Sequence, residues 1–255
     1  MVAAKADCDM TPRADCNGCR FQHSLLAGGK CMPGDRCVRV DSGRQIDRFF
    51  KINPGYASDY AQDPFWERRA IAARYLPTSS LQPLMNDPDE AVRRVLAYRV
   101  PLEWLPSMRN DEDREVRITV ADRLPEQELE SMADDPDYLV RVYVAKRLPK
   151  GRLFRMAVDS DCEVRRIVAT RIPAVSLALM ANDAAVQIRR IVARRIVVNE
   201  LFLLSGDQDW TVRYEVALRA DLDVIQPLLN DIDEEVRFAA QQRWNTLIET
   251  TAAHD

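Results

Sequence analysis

Long apolar runs are missing. Nothing in the 255 residues approaches the roughly 18 consecutive apolar positions of a membrane-spanning helix. The start, Met1 to Cys8, lacks the basic-then-apolar pattern of a secretory leader, so the expected location is cytoplasmic. Histidine is scarce: His23 and His254 leave little material for acid–base catalysis near neutral pH. Positive charge is not in excess either. A formal net charge of −4 argues against a dedicated nucleic-acid binder, whose affinity rests on neutralising phosphates. Apolar residues nowhere alternate with period two, so strands find no support. What remains, 47% hydrophobic and 30% charged residues, can bury a core and excludes wholesale disorder.

Cysteine is scarce everywhere but the N-terminus. Cys8, Cys16, Cys19, Cys31 and Cys37 fall in the first 37 residues, and Cys162 lies alone. In a cytoplasmic chain such clustering reads as metal binding before disulfides. Charge divides in the same way. Residues 1–62 carry nine Lys and Arg against seven Asp, and the remainder carries 27 basic against 33 acidic residues.

From residue 63 onward the sequence repeats. An arginine recurs every 24 residues at Arg69, Arg93, Arg117, Arg141, Arg165, Arg189, Arg213 and Arg237. Six residues before each stands an aspartate: Asp63, Asp87, Asp111, Asp135, Asp159, Asp183, Asp207 and Asp231. Numbering each repeat from its aspartate, positions 6, 10, 19 and 22 are apolar and position 11 is alanine in seven repeats. Position 13 is arginine in seven, Arg99 to Arg243, and position 15 is proline in the first five, Pro77 to Pro173.

Apolar positions 6, 9 or 10, and 14 follow helical spacing. The aspartate at position 1 is the expected N-cap, with Pro64, Pro88 and Pro136 at N1. Arginine at position 13 is expected to complement the dipole of its own last turn. Proline at position 15 ends the helix, which leaves about 12 helical residues. Positions 16–22 have room for one short turn, and the 19/22 pair suits a 3₁₀ helix. One such unit cannot bury its apolar stripe alone. Neighbours must stack into an all-α solenoid, with Gln241 and Asn245 marking the last repeat as a cap.

The arginine ladder reads as construction. A residue locked this strictly to the repeat is expected to bond carbonyls or carboxylates of adjacent repeats, for which the planar guanidinium fork is suited. A basic stripe for phosphate or an acidic partner is the competing reading, with Arg94, Arg166 and Arg190 at position 8 as a local patch.

Cys16-x2-Cys19-x11-Cys31-x5-Cys37 brings four thiols within 22 residues, among Gly18, Gly28, Gly29, Pro33 and Gly34. Four thiolates suit a tetrahedral zinc or an iron–sulfur cluster, and the spacing leaves both open. Cys8 is a fifth candidate and His23 a substitute ligand. Gly28-Gly29-Lys30 reads as a turn, because the first glycine of a phosphate loop is missing. Phe49, Phe50, Tyr56 and Tyr60 are expected to attach the cysteine module to the repeats.

The combination resembles a known family. Cys-x2-Cys is followed by Cys31-Met32-Pro33-Gly34-Asp35-Arg36-Cys37, then by Ser42-Gly43-Arg44-Gln45-Ile46-Asp47-Arg48-Phe49-Phe50, then by Asp63-Pro64-Phe65-Trp66-Glu67-Arg68-Arg69. Together these are similar to the leucine-rich repeat variant proteins of nitrogen-fixing bacteria, over nearly the whole chain. The resemblance implies a right-handed α/3₁₀-helical solenoid of eight repeats, residues 63–255, behind a cluster module and connector, residues 1–62. It also implies a [4Fe–4S] cluster. On the matching residues its ligands would be Cys16, Cys19, Cys31 and Cys37, with Cys8 an extra cysteine and zinc the alternative metal.

The expected function is a non-catalytic protein-interaction scaffold whose cluster is structural or redox-sensing, with a link to nitrogen fixation. A protein partner is expected, and neither nucleic acid nor membrane. Electron transfer through the cluster, or a redox-gated nucleic-acid binder, is the alternative.

Overall fold

The computed structural model describes residues 11–252, with side chains to residue 249, so Cys8 and His254 lie outside the described residues. The chain divides between Leu124 and Pro125 into two compact units. Regular elements among the described residues are helical, and one isolated antiparallel bridge joins Met32 and Arg36. No described helix is long and apolar enough to cross a membrane.

The first unit opens with a π-helical turn, Gln22–Leu26. Then come α1 (Gly43–Ile52), a 3₁₀ helix (Pro54–Tyr60), α2 (Trp66–Ala73), two short 3₁₀ turns (Thr78–Ser80 and Gln82–Leu84), α3 (Glu90–Arg99), a 3₁₀ helix (Leu102–Met108) and α4 (Arg114–Arg123). Val92, Leu96, Ala97, Val100, Leu105 and Met108, at positions 6, 10, 11, 14, 19 and 22, are buried.

The second unit continues the alternation. It holds α5 (Tyr138–Arg147), α6 (Cys162–Arg171) and α7 (Val186–Arg195), with 3₁₀ helices at Leu129–Met132, Lys150–Met156, Ala174–Met180 and Val198–Leu204. The same positions are buried here, as in Val164, Val168, Ala169, Ile172, Leu177 and Met180. The 3₁₀ segments fall where the 19/22 spacing puts them.

Helix starts differ from the expectation. Each regular α-helix begins at position 4, and its N-cap is position 3. Asp89 accepts the Ala91 N–H at 3.0 Å, Asp137 that of Leu139 at 2.8 Å, and Asp209 that of Thr211 at 2.9 Å. Proline at position 2 therefore precedes the cap. The position-1 aspartate has another task. Asp87 and Asp159 accept the N–H two residues on, and their carboxylates face the arginine of the preceding repeat.

That arginine, at position 7, ties neighbouring repeats. Arg69 and Arg93 donate bidentate bonds to Asp87 and Asp111 at 2.8–3.0 Å in the first unit. In the second, Arg141, Arg165, Arg189 and Arg213 do the same to Asp159, Asp183, Asp207 and Asp231. Each also donates to the carbonyl of its own position 1, as Arg141 does to Asp135 at 2.8 Å. The bond from Arg213, outweighing burial, holds the Asp231 carboxyl below its ordinary value.

The position-13 arginines cap the preceding helix rather than their own. Pro101 has no N–H to offer the Ala97 carbonyl four residues earlier. Arg123 donates to that carbonyl instead, and to Val100 O at 3.0 Å. Arg171 serves Ala145 and Leu148 in the same way, and Arg195 serves Ala169 and Ile172. Arg219 does so for Ala193 and Ile196 at 2.6 and 2.7 Å, where position 15 is Val197.

The last two repeats depart through the particular residues at position 15, since loss of proline alone leaves the sixth repeat, with Val197 there, its 3₁₀ helix. Asp221 stands where proline stood, caps the Val224 N–H, and starts a true α-helix, α9 (Leu222–Leu228), after α8 (Trp210–Ala217). With Asn245 there, α10 (Glu234–Ala252) runs on for 19 residues. Gln241 is exposed and bonds Asn245 at 3.0 Å, as suits a terminal helix.

Candidate metal centre

The N-terminal module has little regular structure, and turns and side-chain anchors fix its course. Cys19 N–H bonds the Cys16 carbonyl at 3.1 Å, which closes the first cysteine pair into a turn through Gly18 at φ +68°. Lys30 and Cys31 N–H both bond the Leu25 carbonyl, at 2.7 and 3.2 Å, so Gly28-Gly29-Lys30 is a turn. Met32 and Arg36 exchange backbone bonds at 2.9 Å around Gly34, whose φ of +84° favours glycine, and deliver Cys37.

The four cysteines line one pocket. Phe21, Leu26, Met32, Pro33, Val38 and Phe49 supply its apolar wall, and Arg39 and Gln22 reach its edge. All four are half-buried and unpaired as disulfides. Burial, then the proximity of Cys37 and Cys19, pushes the Cys16 thiol above its ordinary value. Burial and Cys37, Cys19 and Cys16 do the same to Cys31. Four thiolates this close need a cationic group among them, and a bound metal supplies it. Among the described residues no three His, Cys, Asp or Glu side chains converge on a single ion position.

Two buried amides fasten this module to α1. Gln45, fully buried, donates to the Pro12 carbonyl at 2.8 Å, and Asn53 donates to Lys30 and Phe49 carbonyls at 2.9 Å. Neither belongs to the cysteine pattern or to the 24-residue repeat. The signal was a polar residue, Gln45, on the core face of α1 beside Ile46, Phe49 and Phe50. The aromatic attachment is as expected. Ring centroids step from Phe21 to Phe49 (5.3 Å), Phe49 to Phe50 (5.4 Å) and Phe50 to Tyr60 (5.5 Å) and Tyr75 (6.0 Å). Arg20 lies over the Phe21 ring at 4.4 Å and pairs with Asp59 at 2.8 Å.

Other candidates lie elsewhere. His23 is exposed and does not line the pocket. Cys162 opens α6, where Gln187 Nε2 donates to its sulfur at 3.3 Å. The position-8 arginines face carboxylates: Arg94 faces Asp113 (3.3 Å), Arg166 Glu163 (2.7 Å) and Arg190 Glu215 (3.0 Å). That leaves no uncompensated basic stripe there.

A solved structure described as a leucine-rich repeat variant with a novel repetitive protein structural motif is 55% identical in sequence. It superposes with a TM-score of 0.83, covering 91% of this chain and 100% of its own. The chain belongs to the leucine-rich repeat variant family. Residues 12–59 of this leucine-rich repeat variant protein match the family described as LRV protein FeS4 cluster. Residues 114–137 match the leucine rich repeat variant itself. The N-terminal module is thus an iron–sulfur module, and that match does not describe zinc. An uncharacterized 27.7 kDa protein in the nifB 3′ region of Rhodobacter capsulatus is 40% identical over 86 residues. The alignment spans 33% of this chain and 35% of that relative.

Proposed function

We propose that this leucine-rich repeat variant protein is a non-catalytic, cytoplasmic interaction scaffold carrying a [4Fe–4S] cluster on Cys16, Cys19, Cys31 and Cys37. The observation that carries it is the single pocket lined by all four cysteines. A cubane takes one thiolate at each of four irons, and the four cysteines of this pocket supply that number. When bound, the group supplies positive charge that keeps the thiols deprotonated, and redox capacity. The chain's own part is to hold the loops through Gln45 and Asn53 and to wall the site with Phe21 and Phe49. A repeat scaffold is a surface for partners, and a cluster at one end has a structural or redox-sensing role. The name of the R. capsulatus relative supports a link to nitrogen fixation.

Electron transfer is the second reading, favoured by the half-exposure of the four cysteines. Nucleic acid is a poor fit to a chain of net charge −4.

The test is the visible spectrum of anaerobically purified protein, with iron, sulfide and zinc assayed together. The expected result is a broad band near ~400 nm with about four irons and four sulfides per chain, lost in Cys31→Ser. A colourless protein with one zinc refutes the proposal. A reversible physiological potential favours electron transfer, and its absence favours the structural role.

A further inference from the structure

Apart from its four thiols, the cysteine pocket is lined by apolar side chains, by Gln22 and by a single fixed charge, Arg39. Arg39 is exposed and stands two residues beyond Cys37. It also borders a neighbouring open pocket together with Gly18 and Cys19, so it flanks both cysteine loops. Its Nη1 donates to the Asp15 carbonyl at 2.9 Å, one residue before Cys16. That bond clasps the chain leaving Cys37 to the chain entering Cys16.

The clasp does not need the charge. A carbonyl takes one N–H, and a neutral amide supplies it as well. No carboxylate uses the charge either. Among the described residues no acidic side chain bonds Arg39, and that of Asp15 accepts the Asn17 N–H instead. The other cations near the thiols differ. Arg20, after Cys19, pairs with Asp59 at 2.8 Å, and Arg36, before Cys37, pairs with Asp35 at 3.4 Å. Lys30 is exposed and does not line the pocket. Burial pushes the Cys16 thiol above its ordinary value, and Arg39 acts against that rise.

We propose that Arg39 sets the reduction potential of the cluster, holding it above the value that the rest of the pocket would give. This rests on the cluster assignment above. Reduction adds one electron, from an external one-electron reductant, to a centre that four thiolates already make anionic; no bond breaks and no proton moves. A fixed cation at the edge favours the reduced form over the oxidised one, and an apolar wall weakens the screening between them. Arg20 and Arg36 have little such effect, because the carboxylates of Asp59 and Asp35 offset them. Arg39 is therefore a potential-setting residue, and its clasp is the means that keeps its charge at the pocket.

Redox titration of the anaerobically purified full chain with dithionite and mediators, followed by electron paramagnetic resonance, tests it. Arg39→Gln keeps an N–H for the Asp15 carbonyl and removes the charge. It should make reduction about tenfold less favourable, which is about 59 mV for one electron, with iron and sulfide content unchanged. Arg39→Lys should stay near the wild-type potential, and Arg20→Gln should shift it much less than Arg39→Gln does. Because Arg39 is exposed, the gap between wild type and Arg39→Gln should shrink at high ionic strength. An unchanged potential in cluster-loaded Arg39→Gln overturns the proposal. So does a wild-type cluster that takes up no electron reversibly, or a cluster lost from both Arg39→Gln and Arg39→Lys, which would make the residue a clasp alone. If Arg39→Gln alone holds no cluster, adding Gln22→Lys returns a cation to the pocket edge. A potential near that of wild type then supports the proposal, and one about tenfold less favourable overturns it. A wild-type protein with no cluster shows that in its visible spectrum and iron content, and there the cluster assignment falls as well.

Discussion

Arg141 joins two repeats through one guanidinium. Its Nε and Nη2 hold Asp159 at 2.8 and 2.9 Å, and its Nη1 holds the Asp135 carbonyl. Both side chains are nearly buried, at 12% and 7% exposure. Arg141→Ala leaves a shielded carboxylate without its counter-ion, which costs about 3 kcal/mol. Arg237 is the internal comparison. It is exposed and bonds the carbonyls of Asp231 and Ile232, with no carboxylate bonded to it among the described residues. Arg237→Ala should cost less than about 1 kcal/mol. Urea titration of both variants checks this. Equal losses would mean that the inter-repeat bond adds nothing. The ladder was legible in the sequence as construction because its period was strict. Its partners were not. An aspartate ahead of a helix looks like a cap, and only the fold shows that position 1 answers to the previous repeat's arginine.

At the scale of the helix, the cap explains what position 1 does not. Position 3 is aspartate in six repeats, and the exceptions are Phe65 and Ala185. Helix α7 accordingly starts with no side-chain cap. Ala185→Asp should stabilise the protein by about 1 kcal/mol, because it gives the first turn a carboxylate acceptor like that of Asp161 at the start of α6. Thermal unfolding reads the gain, and an unmoved or lowered midpoint would contradict the assignment of the cap. The same scale shows where proline is informative. Its absence at position 15 was visible in the sequence. Its consequence, a capped α9 and an uninterrupted α10, depended on Asp221 being a capping residue and Asn245 a tolerated helical one. The 3₁₀ segments were legible because two apolar positions three apart, behind a proline, leave no other regular solution.

Across the whole chain, regular structure and metal chemistry are segregated. Between residue 11 and α1, the described module has one π-helical turn and one isolated bridge. Its order rests on hydrogen bonds from Gln45 and Asn53, on the Phe21 contact with Phe49, and on the four thiols round their pocket. The repeats rest on buried aliphatic layers and on arginine bonds that touch none of these. Chemical removal of the cluster under anaerobic conditions should therefore leave the far-ultraviolet helical signal and the main unfolding transition nearly unchanged. The module itself should open, because deprived of metal its thiols return to an apolar pocket that gives them no other bond of strength. Limited trypsin digestion resolves the two outcomes. Cleavage should appear at Arg13, Arg20, Lys30, Arg36 and Arg39, all in or beside the loops that carry the cysteines, while the repeats resist. Loss of helix in step with loss of colour would instead show that the cluster holds the repeats together, through the contacts that join α1 and its approach to Arg68 and Tyr75.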